Sequence, residues 1–402
     1  MKRNRRISTV AVLTLAAFAT ATGTGLAATT TATASPATET TAAAPAVSAA
    51  PTRAFQGALP APTGHYAAGE DVIHLTDQSR PDPWVPSSGP RQLTVSMFYP
   101  AVAGTGTEAP YMTLAEAAGY IEHRAPANSG LTPQGVAGVT THAFDGAQPR
   151  NGKYPLVILS PGFENPRMTL TGLATELASR GYVVALVGHT YEDSGETLAN
   201  GQTPSCPICD GGPMAPAPDT IAASRALDVS FVLDQLTHGN TAWPLAHLID
   251  KNKIGMAGHS IGGAAAVTTM LTDPRVQAGV NLDGGFFPVP VVGQIRRPFL
   301  MLGKDSDHTV SGDDYSWPQT WAALYGYKKW LAVAGANHAS FTDVPILAAE
   351  AGIPMPPGID AVRGMVITRE YVTAFFDQTL KGIHSNLLDG PSPANPDVLF
   401  QY

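Results

Sequence analysis

Apolar and polar residues alternate along Asp71–Thr76 and again along Gln92–Tyr99, the period of strands with one buried face. This suits an antiparallel pair, with the turn-rich Arg80-Pro81-Asp82-Pro83-Trp84 between its members. From Tyr154 onward the pattern changes. Apolar runs of strand length occur at Tyr154–Ser160, Tyr182–Val187, Ile254–Ala257, Val276–Leu282, Arg297–Leu302 and Lys329–Val333. Strands that are apolar on both sides belong in a sheet covered on both faces. Helical spacing marks Leu170–Arg180, Asp219–Leu236 with Asp219 as its N-cap, Gly262–Met270, Trp317–Tyr325 and Val366–Leu380. Thr113–Ile121 is a further helical stretch inside the irregular segment 101–153. No internal repeat is visible. An antiparallel start followed by alternating strands and helices predicts an α/β fold, a mostly parallel sheet with helices on both faces. In such sheets chemistry gathers beyond the carboxyl ends of the strands.

The most specific of those ends is Gly258-His259-Ser260-Ile261-Gly262, a G-x-S-x-G pentapeptide between a predicted strand and a predicted helix. In that context the chain turns sharply at the serine and lifts its hydroxyl clear of the sheet. Gly258 and Gly262 leave room for the turn, and the helix start favours negative charge nearby. A chance Gly-Ser-Gly loop would lack the flanking strand and helix. Ser260 is therefore the expected nucleophile.

A serine hydroxyl attacks efficiently only when a base takes its proton, and histidine titrates in the right range. His338 follows the last predicted strand, lies in a polar loop and comes after the serine. His259 is expected to pack at the site wall, and His189, ending an inner strand, to line the pocket or to hydrogen-bond structurally. His308 and His142 are weaker candidates. The acid that orients the base is expected between serine and histidine in the chain. Asp283, Asp305 and Asp307 all meet that condition, and spacing does not choose among them. The oxyanion donors are expected to be the Ile261 N–H and an N–H from the loop after Tyr154–Ser160, at Gly162 or Phe163. Phe163, Phe286, Phe287 and Trp317 are candidate walls of an acyl pocket or, equally, ordinary core.

Composition adds the setting. The first six residues carry four positive charges, a short apolar stretch Ile7–Phe18 follows, and small residues come next. This is the pattern of a secretory signal peptide, expected over residues 1–34, and the stretch is too short for a membrane span. Residues 35–54 are almost all Ala, Thr, Pro and Ser and read as a disordered linker. The catalytic domain is expected over 55–402. Losing the four leader charges takes the formal net charge from −8 to −12, which argues against nucleic acid or anionic membranes as partners. Cys206 and Cys209, the chain's 2 cysteines, are expected to pair in an exported protein. They lie in Thr190–Pro218, a polar excursion long enough to be functional or mobile. No metal site and no cofactor are expected, nor an integral membrane segment in the mature form; a monomer is expected.

These stretches resemble the α/β-hydrolase fold. More narrowly they resemble the platelet-activating-factor acetylhydrolase-like family, with its secreted bacterial relatives and the neighbouring polyester and cutinase-like hydrolases. The resemblance covers most of the folded chain. It rests on Leu59–Gly64, Asp77–Trp84, Met97–Ala101, Ser160-Pro161-Gly162, Gly181–His189, the GHSIGG elbow, Asn281–Gly284 and Asn337–Asp343. The last two stretches are the specific ones. The resemblance implies an acid just past the strand that follows the elbow helix, at Asp283, 23 residues after the serine. The chain departs from the family at the oxyanion loop, which reads Ser-Pro-Gly-Phe. Asp305 and Asp307 sit near the acid position of the polyester hydrolases. The expected function is a secreted carboxylic-ester hydrolase acting on short-chain, lipid or polyester esters. An acyltransferase of the same fold would reveal itself by product partition to added alcohols. A non-catalytic binding protein would remain unlabelled by a fluorophosphonate.

Overall fold

The computed structural model describes residues 55–209, 215–239, 241–291 and 293–402. The expected leader and linker lie outside them. Among the described residues, eleven strands form one sheet. In chain order they are β1 (Ala67–Pro81), β2 (Pro90–Ala101), β3 (Thr107–Glu108), β4 (Ala143–Asp145), β5 (Tyr154–Ser160), β6 (Val183–His189), β7 (Ile249–His259), β8 (Val276–Leu282), β9 (Phe299–Lys304), β10 (Lys328–Val333) and β11 (Val398–Phe400). The principal helices are α1 (Leu114–Arg124), α2 (Pro133–Ala137), α3 (Thr171–Ser179), α4 (Pro218–Thr237), α5 (Ile261–Thr272), α6 (Ser316–Ala323), α7 (Val344–Glu350) and α8 (Ala361–Phe376).

The strands lie in the order β11-β10-β9-β8-β7-β5-β6-β2-β1-β4-β3. From β6 to β10 every pairing is parallel, whereas β2 runs antiparallel to both β1 and β6. The alternating and the unbroken apolar stretches therefore fall where their patterns place them. Leu156 and Ile158 of β5 face one core with Val229, Val232, Leu233 and Leu236 of α4 and Ala265, Ala266 and Val267 of α5. Val157 and Leu159 face the other, with Leu173, Ala174 and Leu177 of α3 and Val372, Phe375 and Phe376 of α8. Helices thus cover both faces of the parallel strands, the α/β-hydrolase architecture.

Some boundaries differ from the pattern. Asp219 does not cap α4: the helix begins at Pro218, and the Asp219 carboxylate accepts from the adjacent Thr220 N–H inside the first turn. Proline at the first helical position starts this helix without a side-chain cap. β9 begins at Phe299, beyond Arg297. α8 begins at Ala361, where Asp360 accepts from the Arg363 N–H as a true cap.

Candidate active site

β7 ends at His259, and α5 starts at Ile261. Ser260 alone makes the turn, with φ 55°, a region that costs a side-chain-bearing residue about 1–3 kcal/mol. Glycines flank it for a measurable reason. A Cβ on Gly258 would lie 2.2 Å from Gly262 backbone atoms, and one on Gly262 would lie 2.1 Å from the Ser160 carbonyl oxygen. The turn is tied down by the Ser260 N–H, which donates to Leu282 O at the end of β8. Asp283 follows directly, itself at φ 59° and buried.

Asp283 binds two histidines with different oxygens. Oδ2 accepts from His338 Nδ1 at 2.6 Å, and Oδ1 accepts from His308 Nδ1 at 2.7 Å and from the Lys304 N–H at 2.7 Å. Burial opposes its charge, but the hydrogen bonds from His308 and His338 outweigh it and hold the carboxyl well below the usual range. His338 follows β10 and opens a short turn whose cap, Asn337, accepts from the Ala339 N–H. Its side chain is 51 % exposed, in contrast to its buried partner. His259 joins the two loops. Its Nε2–H donates to His338 O at 2.7 Å, and the two rings lie 4.6 Å apart. The elbow, Asp283 and His338 therefore share one neighbourhood at the carboxyl ends of β7, β8 and β10. Among the described residues the Ser260 hydroxyl forms no hydrogen bond to His338.

His308 was the least legible participant. Its second nitrogen, Nε2, meets Asp314 Oδ2 at 3.2 Å, and its ring stacks on Trp317 at 4.1 Å. Burial works against its charge, but the two carboxylates prevail and raise its pKa. It sits in the loop after β9 beside Asp305 and Asp307, and no sequence pattern marks it as a partner of Asp283. Asp305 accepts from the Gly335 N–H, and Asp307 pairs with Lys304 at 2.6 Å; neither hydrogen-bonds His338.

The loop after β5 faces the elbow. Phe163 packs with Trp84, Ile221, Ala222, Ile261 and Ala264. Among the described residues the Phe163 N–H meets no acceptor, and Ile261, as the first residue of its helix, has no carbonyl a turn earlier to bond. Of the four aromatic wall candidates, Trp317 and Phe286 are core, packed edge to face at 5.7 Å. Phe287 is 43 % exposed and lines an open depression with Ala217, Pro218 and Val289. His142 lies elsewhere and bonds Leu59 O. Cys206 and Cys209 form a disulfide beside the carbonyls of Tyr191 and Glu192. His189, Glu192 and Asp228 bring three metal-type donors together, but Arg91 and Arg225 already occupy the carboxylates.

Comparison with known proteins decides the class. A family model described as platelet-activating factor acetylhydrolase, isoform II, matches residues 82–203 and 230–387. The chain belongs to that family. A relative from Arthroderma benhamiae, named a probable 1-alkyl-2-acetylglycerophosphocholine esterase, is 27 % identical over 383 residues, covering 85 % of this chain and 93 % of its own. A bis(hydroxyethyl) terephthalate hydrolase from Streptomyces coelicolor is 26 % identical over 162 residues, 39 % of this chain and 41 % of the relative. Among solved structures, a ferulic acid esterase from Streptomyces cinnamoneus superposes with TM-score 0.76 at 39 % identity, covering 86 % of this chain and 99 % of that one. This member of the acetylhydrolase family is a carboxylic-ester hydrolase. Among the described residues no helix is long and apolar enough to cross a membrane.

Proposed function

We propose that the ester bond is broken by Ser260 acting with His338 and Asp283, through a covalent acyl-enzyme. Ser260 Oγ attacks the carbonyl carbon while its proton passes to His338 Nε2. The carbonyl π electrons move onto oxygen, and the N–H groups of Ile261 and Phe163 receive that charge. As the C–O bond breaks, the departing alcohol takes the proton from His338. A water molecule then repeats the sequence in reverse roles and frees the acid. Asp283 holds the His338 Nδ1–H throughout, which leaves Nε2 as the proton acceptor. The observation carrying this reading is the 2.6 Å bond from His338 to a buried carboxylate, beside a serine at φ 55°.

Short acyl esters of lipids or aryl alcohols and polyester fragments are the proposed substrates. Support comes from the activities named for the relatives, an alkyl-acetylglycerophosphocholine esterase, a bis(hydroxyethyl) terephthalate hydrolase and a ferulic acid esterase. Export is proposed from the leader pattern and the Cys206–Cys209 disulfide, which persists in oxidising compartments. Ser260→Ala should abolish both p-nitrophenyl acetate turnover and fluorophosphonate labelling. Retention of either by the folded variant rules out the nucleophile. A series of esters of rising chain length, with an insoluble polyester film, reads the substrate class.

A further inference from the structure

A second serine–histidine–aspartate string lies beneath the first. Ser160 Oγ is 2.9 Å from His189 Nε2, and His189 Nδ1 is 2.8 Å from Asp228 Oδ2. Ser160 and Asp228 are wholly buried and His189 is 1 % exposed, so no ester reaches this hydroxyl. Arg225 Nη1 also donates to Ser160 Oγ at 3.1 Å. The Ser160 proton therefore goes to His189 Nε2, and the His189 Nδ1–H goes to Asp228. Burial, with the Arg225 charge, lowers the His189 pKa, in keeping with a neutral accepting ring.

Arg225 is the hub of this layer. The same Nη1 donates to Pro161 O, and Nε donates to Glu192 Oε2 at 2.7 Å. The other Glu192 oxygen accepts from Trp84 Nε1 at 3.1 Å, and the Glu192 backbone carbonyl accepts from the Glu164 N–H at 3.0 Å. The turn Pro161–Glu164 is thus held at its start by a guanidinium and at its end by the residue that guanidinium grips. Phe163 lies between the two anchors, and among the described residues its N–H has no acceptor.

We propose that Arg225 is a positioning residue for ester hydrolysis: anchored on Glu192, it fixes the Pro161–Glu164 turn so that the Phe163 N–H faces the reacting oxygen. This rests on the reading of Phe163 as an oxyanion donor. A guanidinium suits the task because its donors lie in one rigid plane and serve three acceptors at once, whereas a lysine ammonium on a flexible stem cannot reproduce that fork. The buried string is then a brace: Asp228 orients His189, His189 orients Ser160, and Ser160 completes the seat of Arg225.

The test uses Arg225→Lys and the double variant Arg225→Gln/Glu192→Gln, which removes both buried charges and leaves no bare carboxylate behind. Melting temperature, kcat and KM on p-nitrophenyl acetate, and inhibition by phenylboronic acid are measured on the full chain. The boronate forms a tetrahedral adduct on a serine and so reads the same donors as the transition state. The double variant is expected to melt within a few degrees of the parent. Its kcat should fall about a hundredfold with KM within about threefold, and boronate affinity should fall in step with kcat/KM. A folded double variant with parental kcat overturns the proposal. So does one whose kcat falls while boronate affinity stays parental, because that loss lies outside the oxyanion donors. A parent protein that is inert to both ester and fluorophosphonate overturns the Ser260 reading itself, a result distinct from either.

Discussion

Replacing Asp283 by asparagine changes one atom, and the structure dictates which way the new side chain must face. Oδ1 accepts from the Lys304 backbone N–H, a donor that cannot reverse, and from His308. The oxygen of the introduced amide must take that side, which turns its NH2 toward His338. His338 Nδ1 then meets a donor in place of an acceptor, so the ring shifts its proton to Nε2, the nitrogen that must accept from Ser260. Loss of the correct tautomer costs a serine hydrolase about four orders of magnitude, or about 5.5 kcal/mol of transition-state stabilisation. Stopped-flow acylation with p-nitrophenyl acetate at neutral pH measures it, and circular dichroism checks the fold. KM should move little, since Asp283 is buried and touches no substrate. Asp305→Asn is the matched control and should keep its rate within about threefold, because the Asp305 carboxylate accepts from the Gly335 N–H and, among the described residues, makes no hydrogen bond to His338. A folded Asp283→Asn protein with more than a tenth of the parental rate would refute the reasoning, as would an Asp305→Asn protein with the large loss.

Two stability effects follow from neighbouring groups. His308→Gln removes a cation held between Asp283 and Asp314; its raised pKa means that its contribution is full below about pH 6.5 and is lost as pH rises through the folded value. Urea titrations should show the parent ahead by about 2 kcal/mol at pH 5.5, a gap that narrows at pH 9. Cys206→Ser/Cys209→Ser opens a loop closed by residues only 3 apart in sequence, so the expected loss is at the low end, about 2 kcal/mol, seen as a lower melting temperature with kcat on p-nitrophenyl acetate nearly unchanged.

Much of the frame was legible because its signals are local. An unbroken run of strand length that ends in Pro161-Gly162, such as Tyr154–Ser160, reads as a covered strand, and the glycines around Ser260 announce a turn that tolerates no Cβ. Three aspartates satisfy the same order along the chain and only the resemblance favours Asp283; the hydrogen bond from His338 to Asp283 is visible in the structure alone. The structure adds a reason for the ambiguity: the loop after β9, which carries Asp305 and Asp307, does reach Asp283, but through His308. What stayed hidden was the buried charge. Arg91 and Arg225 resemble surface arginines in sequence, yet both are fully buried among Asp82, Glu192 and Asp228, carboxylates separated from them by up to 137 positions. Nothing periodic marks such partners, because long-range ion pairs carry no local pattern. The strands β3, β4 and β11 are two or three residues long, too short for any period to show.

The order of strands has a consequence for how activity is acquired. The Phe163 turn, the elbow, Asp283 and the His338 loop leave β5, β7, β8 and β10, with β5, β7 and β8 consecutive neighbours and β9 the lone spacer before β10. Each step across that row spans about 5 Å and is non-local, the β5–β7 step most of all, since it pairs Ser160 with Gly258, and non-local pairing is the slow class of contact in folding. On the proposed mechanism, a chain that has regained its helices but not this row lacks the groups assigned to catalysis. Refolding followed by ester turnover should therefore lag refolding followed by far-ultraviolet signal, and the lag clocks the closing of the sheet.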